Sequence, residues 1–388
     1  MTTWIPRQLD LADRIRPNRA TIIHGPRRAG KTSLVDRHLA TLSGQRILRA
    51  SGDNIVVRDL LSGQDAARIL AWTEGYDLLF LDEAQRIPEV GWGLKILVDS
   101  RPELTVIATG SASFALAGAV GEPLTGGQTP LTLFPISVGE LRQVMNDYEL
   151  SDSLDNFLVY GMYPEVRTSI SDTDRRDVVR ELTNSYLFKD ILELDRVKHT
   201  KALQDLLTLI ALQVGSLVSI NELASTLGID AKTISRYLDL FEKSYILYNL
   251  RGFSRNLRQE VTRTSKYYFW DTGIRNAVLN NFNPLQARGD VGALWENFVI
   301  IERLKALSYA RQEPRLFFWR TWSQQEIDLI EEADGGLHAY AIKWNPKARS
   351  RRPSEFARAY PDASFTVVTP DTLLDITAPE GPETGVSA

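Results

Sequence analysis

Residues 20–35 read ATIIHGPRRAGKTSLV, in which a glycine-rich turn joins a short apolar run to an amphipathic segment. The turn, Gly25–Thr32, fits the spacing G-x-x-x-x-G-K-[ST], which acts as a phosphate-binding loop when a strand precedes it and a helix follows it. The apolar run Ala20–His24 predicts that strand, and Lys31–Leu42 predicts that helix. The sequence therefore predicts a phosphate-binding loop at this point.

The residue types of this loop suit a nucleoside triphosphate. Gly25 and Gly30 permit backbone conformations and close approaches that a Cβ would block, so that successive N–H groups and the helix N-terminus can face an anion. Lys31 is expected to reach the β- and γ-phosphates, and Thr32 is expected to ligate Mg²⁺. Arg27 and Arg28 both lie in the loop, and the sequence does not indicate which of them contacts phosphate. The predicted nucleotide contacts are Gly25, Pro26, Arg27, Arg28, Ala29, Gly30, Lys31, Thr32 and Ser33.

A second motif supplies carboxylates. Leu78–Gln85 reads LLFLDEAQ, in which two acids follow the predicted strand Asp77–Leu81. Open α/β sheets bind ligands at this end of their strands. Asp82 is expected to hold Mg²⁺ directly or through water, and Glu83 is expected to polarise the attacking water. The alternative is that one of the two is only an acid at the start of a helix.

The rest of the first 135 residues alternates strands with helices. Such alternation predicts a parallel sheet covered on both faces. Ser111 follows the predicted strand Leu104–Thr109, and its hydroxyl would bond the γ-phosphate or the attacking water. The alternative is a plain turn at the end of that strand. The further predicted elements are the strands Ile47–Ala50, Leu131–Pro135 and Leu104–Thr109 and the helices Ile55–Trp72 and Glu89–Ser100.

The composition is that of an ordinary globular chain. It has 388 residues, 45 basic and 49 acidic side chains, and no cysteine. At about 150 residues per domain, this length predicts two to three domains. The lack of cysteine excludes a disulfide framework, a thiolate metal site and a cysteine nucleophile, and the four histidines lack metal-ligand spacing. No apolar run approaches the roughly 18 residues of a membrane helix, and the N-terminus lacks a secretory pattern, so a cytoplasmic protein without a membrane partner is expected.

The pattern becomes helical from about Asp152 to Lys243, with predicted helices at Leu154–Tyr160, Asp177–Leu194 and Lys201–Val214. Apolar residues recur there at spacings of three and four. The segment Ser219–Leu247 then predicts a helix-turn-helix whose helices are Asn221–Leu227 and Ala231–Ser244. Gly228 would end the first helix and Asp230 would cap the second.

Charge in this segment favours nucleic acid as a partner. Between Ala231 and Tyr268 there are eight basic and three acidic residues, a net charge of +5 in a chain whose formal charge is −4. Such a patch attracts phosphate backbones. Lys232, Ser235, Arg236 and Asp239 would face outward, and the segment 250–268 would form a wing. Docking on the nucleotide-binding domain or on another protein is the alternative.

The C-terminal region has acids spaced as in a PD-(D/E)xK nuclease. Glu296 lies on a predicted helix, Glu326 and Asp328 on a strand, and Lys343 on a later strand. That chemistry needs clustered carboxylates for Mg²⁺ and a lysine to assist water. Ala341 stands where a second ligating acid is expected, so the region is predicted to be an inactive scaffold. Glu326 shares a strand face with Asp328 and would be a partial substitute.

Four motifs, GPRRAGKTSL, FLDEAQRIPEVG, IATGSASF and LFPISVGEL, resemble the AAA-type ATPase domain that many bacteria and archaea combine with a C-terminal domain of unknown function. The resemblance continues in VYGMYPEV, YLFKDILEL, TISRYLDLFEKSYIL, KYYFWDTGIRNAV, WENFVIIERLKAL and WRTWSQQEIDLI, and covers the chain from Trp4 to about Lys343. It implies an α/β fold with a P-loop NTPase parallel sheet, followed by a helical winged-helix segment and an α/β nuclease-like domain. The family usually has a Gly-Arg pair where this chain has Gly126-Gly127-Gln128, which implies slow hydrolysis.

Together these observations predict an ATP-binding protein with weak Mg²⁺-dependent hydrolysis. Lys31, Glu83 and Ser111 are the expected catalytic residues, and Thr32 and Asp82 are the expected metal ligands. ATP would act as a switch on the attached domains; an ATP-regulated DNA-binding protein and a Mg²⁺-dependent nuclease are the alternatives. The expected domains are 1–150, 151–285 and 286–376, followed by a disordered tail at 377–388.

Overall fold

A computed structural model of the chain describes residues 4–111, 124–187, 200–254, 265–347 and 350–378. The chain divides into two compact units. The first, here called the ATPase unit, consists of Arg7–Pro135 with Lys243–Tyr245; the second consists of Met1–Pro6, Ile136–Glu242 and Ile246–Ala388. The predicted tail falls outside the described residues from position 379 onward. Among the described residues, no helix is both long enough and apolar enough to cross a membrane.

The ATPase unit is built on a five-stranded sheet. Its strands are β1 (Ala20–His24), β2 (Ile47–Ser51), β3 (Leu78–Asp82), β4 (Thr105–Thr109) and β5 (Gln128–Thr132). Their order is β2-β3-β4-β1-β5, and every neighbouring pair is parallel. Alternate residues of β1, β3 and β4 are buried in one core with the helices; they are Ala20, Ile22, Leu79, Leu81, Val106 and Ala108. The predicted parallel α/β sheet is therefore present.

Two predicted elements of this unit differ most from the structure. The fifth strand is Gln128–Thr132 rather than Leu131–Pro135, and it includes Pro130. Proline cannot donate to a sheet ladder, but β5 lies at the sheet edge and pairs only with β1, so that the missing N–H is tolerated. The predicted helix Ile55–Trp72 is two helices, because the Asp65 carboxylate caps a new helix by accepting from the N–H of Arg68.

The helices of the ATPase unit follow the strands in the expected alternation. They begin at residues with local caps or turns. The first helix begins directly after Gly30, whose backbone is in the left-handed conformation. They are α1 (Lys31–Leu39), α2 (Ile55–Ser62), α3 (Ala66–Thr73) and α4 (Val90–Ser100).

The second unit contains a mixed seven-stranded sheet. Its strands are β6 (Leu217–Val218), β7 (Leu247–Gly252), β8 (Ser265–Phe269), β9 (Arg315–Arg320), β10 (Glu326–Ala333), β11 (Gly336–Ile342) and β12 (Ser364–Val368). The order is β12-β11-β10-β9-β7-β8-β6. The parallel pairing of β7 with β9 joins strands from both sides of the boundary expected at residue 285. One sheet therefore runs through the segments 151–285 and 286–376.

The helices of the second unit are mostly short, apart from one buried helix of 19 residues. The predicted helix Asp177–Leu194 begins earlier, at Asp172, where Ser171 forms a capping box; its last part lies outside the described residues from position 188 onward. The helices are α5 (Val138–Leu141), α6 (Asp147–Asp152), α7 (Leu154–Tyr160), α8 (Pro164–Thr168), α9 (Asp172–Glu181), α10 (Thr200–Leu212), α11 (Ile220–Leu227), α12 (Ala231–Lys243), α13 (Thr272–Val278), α14 (Val291–Tyr309), α15 (Ser354–Ala359) and α16 (Leu373–Thr377).

Candidate functional site

The phosphate-binding loop needs its glycines for backbone reasons. Gly25 has φ of +146°, and a Cβ there would lie 2.1 Å from the carbonyl oxygen of Leu133. Gly30 has φ of +95°, a left-handed conformation that permits the turn into α1. The predicted strand, loop and helix thus follow one another in the order that the motif requires.

The Lys31 ammonium lies over the loop itself. It donates to the carbonyl oxygens of Gly25 and Pro26, each at 2.9 Å, and the residue is only 8% exposed. A cation in this position is fixed at the centre of the loop, where phosphate oxygens would meet it.

Arg7 supports the same loop from a distant part of the chain. Its guanidinium donates to the carbonyl oxygen of Ala29 at 2.7 Å and to that of Phe134 at 2.6 Å. It therefore ties the loop to the segment that follows β5. Sequence reasoning missed Arg7, because a lone arginine 22 residues before Ala29 carries no local pattern.

The carboxylate of Asp82 faces the start of α1. Its two oxygens accept from the hydroxyl of Thr32 at 3.2 Å each, and one also accepts from the hydroxyl of Thr109. The strand order explains this meeting, because β4 lies between β1 and β3. The two predicted metal ligands, Thr32 and Asp82, are thus side by side.

Glu83 lies next to these ligands in a constrained conformation. Its φ is +52°, in the left-handed region that non-glycine residues seldom adopt. Its carboxylate accepts from the side-chain amide of Gln85, whose oxygen accepts from the N–H of Ser111 at 3.2 Å. Gln85 therefore links the predicted base to the end of β4. It belongs to the quoted acidic motif, but the sequence assigned it no role.

His24 ends β1 and stays neutral. Burial lowers the pKa of its imidazole to about 4, and the nearby Lys31 cation acts in the same direction. Its Nε2 lies 3.0 Å from the hydroxyl oxygen of Thr132. Its ring centroid is 6.2 Å from that of Tyr245, which belongs to the ATPase unit although it follows α12 in sequence.

Two helices, α11 and α12, lie where the sequence predicts a helix-turn-helix. Gly228 ends α11 in a left-handed conformation, and Asp230 accepts from the N–H of Thr233 at 2.8 Å at the start of α12. The predicted inner positions are buried, and the predicted outer positions are exposed. The buried residues are Ile234, Leu238 and Phe241, and the exposed residues are Lys232, Ser235, Arg236 and Asp239.

The predicted wing is described only in part. The strands β7 and β8 pair in antiparallel fashion, and β6 pairs with β8. The connection between β7 and β8, residues 255–264, lies outside the described residues, and with it Arg255, Arg258 and Arg263. Lys266, which the charge count assigned to the same patch, is 1% exposed. Its ammonium is therefore not available to a phosphate backbone.

The acidic side chains of the C-terminal region accept hydrogen bonds from nearby groups. The Asp328 carboxylate accepts from the N–H of Ile342 at 2.6 Å and from the ammonium of Lys343 at 3.0 Å. Ala341 is buried on the adjacent strand, where the preceding residue, Tyr340, pairs with Leu329 of β10. Glu296 accepts from the hydroxyl of Tyr268 at 2.6 Å. Among the described residues, no group of three or more His, Cys, Asp or Glu side chains has the geometry of a metal site.

Two of the downstream motifs serve the packing of the second unit. Asp271 caps α13 by accepting from the N–H of Ile274, and it also accepts from the N–H of Met162 at 2.6 Å. The side-chain amide of Asn276 donates to the carbonyl oxygens of Leu158 and Val159. The motifs VYGMYPEV and KYYFWDTGIRNAV therefore contact each other inside the unit.

Three domains are matched along the chain. Residues 17–142 match an AAA domain, residues 151–285 match a domain of unknown function (DUF8612), and residues 291–378 match a second one (DUF4143). The parallel sheet, the glycine loop and the acidic strand end agree with the first match. Residues 17–142 thus form an AAA-type P-loop domain, a class that binds ATP.

Relatives match over most of the chain. An uncharacterized protein of Mycobacterium tuberculosis is 30% identical over 342 residues, which are 86% of this chain and 73% of that protein. An uncharacterized protein of Methanocaldococcus jannaschii is 22% identical over 91% of this chain and 81% of its own length. The chain belongs to the family of the mycobacterial protein.

Domain III of the Thermotoga maritima replication initiation protein DnaA is a similar solved structure. It is 16% identical, with a TM-score of 0.26, and the match covers 58% of this chain and 84% of that one. A similarity this low has no weight for function.

Proposed function

We propose that the ATPase unit hydrolyses ATP slowly and that its nucleotide state controls the second unit. The observation that carries the hydrolysis is the contact between Thr32 and Asp82 at the carboxyl end of β3, with Glu83 as the next residue of the chain. The Lys31 ammonium would hold the phosphates, and the Glu83 carboxylate would accept a proton from the attacking water. Ser111 would position that water or the γ-phosphate.

The residues present fit Mg²⁺. The hydroxyl of Thr32 and both oxygens of Asp82 lie within 3.2 Å of each other, and these are oxygen ligands of the kind that Mg²⁺ takes. When bound, Mg²⁺ supplies charge neutralisation at the β- and γ-phosphate oxygens.

Gln85 gives a reason for slow turnover. Its amide holds the Glu83 carboxylate, so that Glu83 must exchange this partner for water before it can act as a base. The residues Gly126-Gly127-Gln128, which stand where the family that the sequence resembles usually has a Gly-Arg pair, lie level with Ala20 at the start of β1, whereas the loop follows the other end of that strand. The contact between Gln85 and Glu83 therefore carries the proposal of an ATPase that holds ATP for long times.

Tyr245 supports the switch. It follows α12 by two residues, and its ring packs near those of His24 and Phe134, at centroid distances of 6.2 and 6.3 Å. His24 directly precedes Gly25 of the loop. A change of the loop on nucleotide binding would therefore reach a residue that is covalently joined to α12.

The test combines turnover with nucleotide binding. In Glu83→Gln, ATP should still bind, while phosphate release should fall by roughly 10²- to 10⁴-fold, because the base is lost. Glu103→Gln is the matched control, since Glu103 is an exposed acid of the same unit. Undiminished turnover in Glu83→Gln would remove Glu83 from the mechanism. Hydrogen exchange of α12 in Glu83→Gln, with and without ATP, tests the switch; identical exchange would refute it.

A second candidate function is contact with duplex DNA through α12. The observation in its favour is the exposed face of Lys232, Ser235 and Arg236 on a helix that follows a tight turn and precedes an antiparallel pair of strands. This arrangement supports a winged helix, in which the second helix meets the DNA. A protein partner on the same face is the alternative outcome.

Of the three candidate functions, nuclease activity has the least support from the structure. Asp328 is already bonded by Ile342 and Lys343, and Ala341 supplies no carboxylate. We therefore propose that the C-terminal segment is a nuclease-derived scaffold without cleavage activity.

A further inference from the structure

The turn between β9 and β10 places an aromatic side chain in solvent. The two strands pair in antiparallel fashion, and residues 321–325 connect them. Within this turn, Trp322 is 100% exposed. An indole offers a large, flat, apolar surface, but a single exposed apolar residue is ordinary for a protein surface. The residues beside the turn therefore decide whether Trp322 belongs to a binding surface.

Hydrogen bonds hold this turn against α15. The Glu355 carboxylate accepts from the hydroxyl of Ser323 at 2.5 Å and from the side-chain amide of Gln325 at 3.2 Å. The N–H of Glu355 donates to the side-chain oxygen of Gln325 at 3.1 Å. The residues that flank Glu355 in sequence are therefore brought beside the turn that carries Trp322.

The chain that is brought beside the turn is strongly basic. Residues 343–358 include six basic residues and one acidic residue, Glu355, in a chain whose formal net charge is −4. Two of the six basic side chains are engaged within the fold. The Lys343 ammonium pairs with Asp328 at 3.0 Å, and the Arg352 guanidinium donates to backbone carbonyl oxygens. The local excess of positive charge favours a polyanion as the ligand of this surface.

Two exposed arginines flank the contact between α15 and the turn. Arg358 follows Glu355 by three residues, so it lies on the same side of α15. Arg351 precedes Ser354 by three residues, and the hydroxyl oxygen of Ser354 is 3.4 Å from the side-chain nitrogen of Gln325. Neither arginine forms an ion pair with a residue that the structure describes. Their charges are therefore available on either side of the turn.

We propose that Trp322, Arg351 and Arg358, here called the turn surface, bind a single-stranded nucleic acid. The arginines attract its phosphates, and the indole stacks on an unpaired base. In a duplex the neighbouring base pairs already cover the faces of each base, so the indole has no face to stack on. This inference rests neither on ATP hydrolysis nor on the exposed face of α12, because the three residues lie outside the ATPase unit and outside that helix.

The stacking is tested by the fluorescence anisotropy of a labelled oligothymidylate at low salt, without ATP. Trp322→Ala should weaken binding by about 5- to 140-fold, which corresponds to about 1–3 kcal/mol for one stacked base. Trp322→Phe keeps an aromatic ring and should bind more tightly than Trp322→Ala. Tyr148→Ala is the matched control, because Tyr148 is an aromatic residue of the same unit that is 79% exposed, and it should show no loss.

The arginines are tested by the salt dependence of the same binding. Each phosphate contact of a single strand contributes about 0.7 to the slope of log affinity against log salt. Arg351→Ala combined with Arg358→Ala should therefore flatten this slope by about 1.4. Trp322→Ala removes no charge and should leave the slope unchanged. Lys201→Ala, which removes an exposed lysine of the same unit, should leave it unchanged as well.

The Trp322 variants should fold, because the side chain is fully exposed and packs in no core. The proposal fails if the unaltered chain does not bind the oligothymidylate at low salt. It also fails if Trp322→Ala binds as tightly as the unaltered chain, which would assign the turn surface to a protein partner. An equal loss in Tyr148→Ala would refute it too, as would an equal loss of affinity of Trp322→Ala for a duplex of the same length.

Discussion

Replacing Lys31 by methionine tests the phosphate-binding loop directly. Methionine keeps the length and the apolar stem of lysine but removes the charge. In the structure the ammonium donates to the carbonyl oxygens of Gly25 and Pro26. The variant therefore changes both the nucleotide-free loop and the nucleotide complex.

The expected magnitude follows from this exchange of partners. Two hydrogen bonds from the ammonium to phosphate oxygens would stabilise bound ATP by about 3–6 kcal/mol, since each bond of a charged group contributes about 1.5–3 kcal/mol. The two carbonyl bonds that the ammonium already makes offset about half of this gain. The remaining loss of about 1.5–3 kcal/mol corresponds to about 10- to 140-fold weaker binding.

The assay is a fluorescence titration with an ATP analogue that carries a fluorescent ribose group, in excess Mg²⁺. Lys95→Met is the matched control, because Lys95 is a partly exposed lysine of the same unit whose ammonium pairs with Asp99 at 2.9 Å. A folded Lys31→Met protein that binds the analogue as tightly as the unaltered chain would refute the assignment. An equal loss in Lys95→Met would attribute the effect to net charge.

Two further predictions concern acid stability and DNA. The pKa of His24 is about 4 in the folded chain and about 6.5 in the unfolded chain. The stabilisation that neutral His24 contributes to the free energy of unfolding is therefore complete above pH 6.5 and is lost as the pH falls toward 4. Between pH 7 and pH 4, the free energy of unfolding of the ATPase unit should therefore fall by about 3 kcal/mol more in the unaltered chain than in His24→Phe, as measured by hydrogen exchange of the β1 amides; an equal fall in both proteins would contradict the burial of His24. For the α12 face, Lys232→Ala combined with Arg236→Ala should flatten the slope of log affinity for duplex DNA against log salt by about 1.8, because each phosphate contact contributes about 0.9. Lys201→Ala, an exposed lysine of α10, should leave the slope unchanged. An absence of duplex binding at low salt would instead favour a protein partner for this face.

The sequence alone predicted the elements whose geometry is local. The loop between β1 and α1 follows from the spacing of Gly25, Gly30 and Lys31, because backbone conformation and the start of a helix depend on a few adjacent residues. The same holds for the turn at Gly228 and Asp230, where a left-handed glycine and a capping carboxylate act within one helical turn.

The tertiary structure decided which distant residues meet. The strand order places β4 between β1 and β3, which brings Thr109 to Asp82 and lets Gln85 reach the N–H of Ser111. Neither contact has a sequence pattern, because strand order depends on the packing of the whole sheet.

The second unit shows the same limit at longer range. Lys266 belongs to a run of basic residues in the sequence, yet the fold turns it inward to Glu296 and Glu326. Composition reports how many charges a segment has, whereas the direction of each side chain depends on the strand face to which the register assigns it. The pairing of β7 with β9 likewise joins two segments that their sequence patterns separate, because hydrogen bonds between strands do not depend on the length of chain between them.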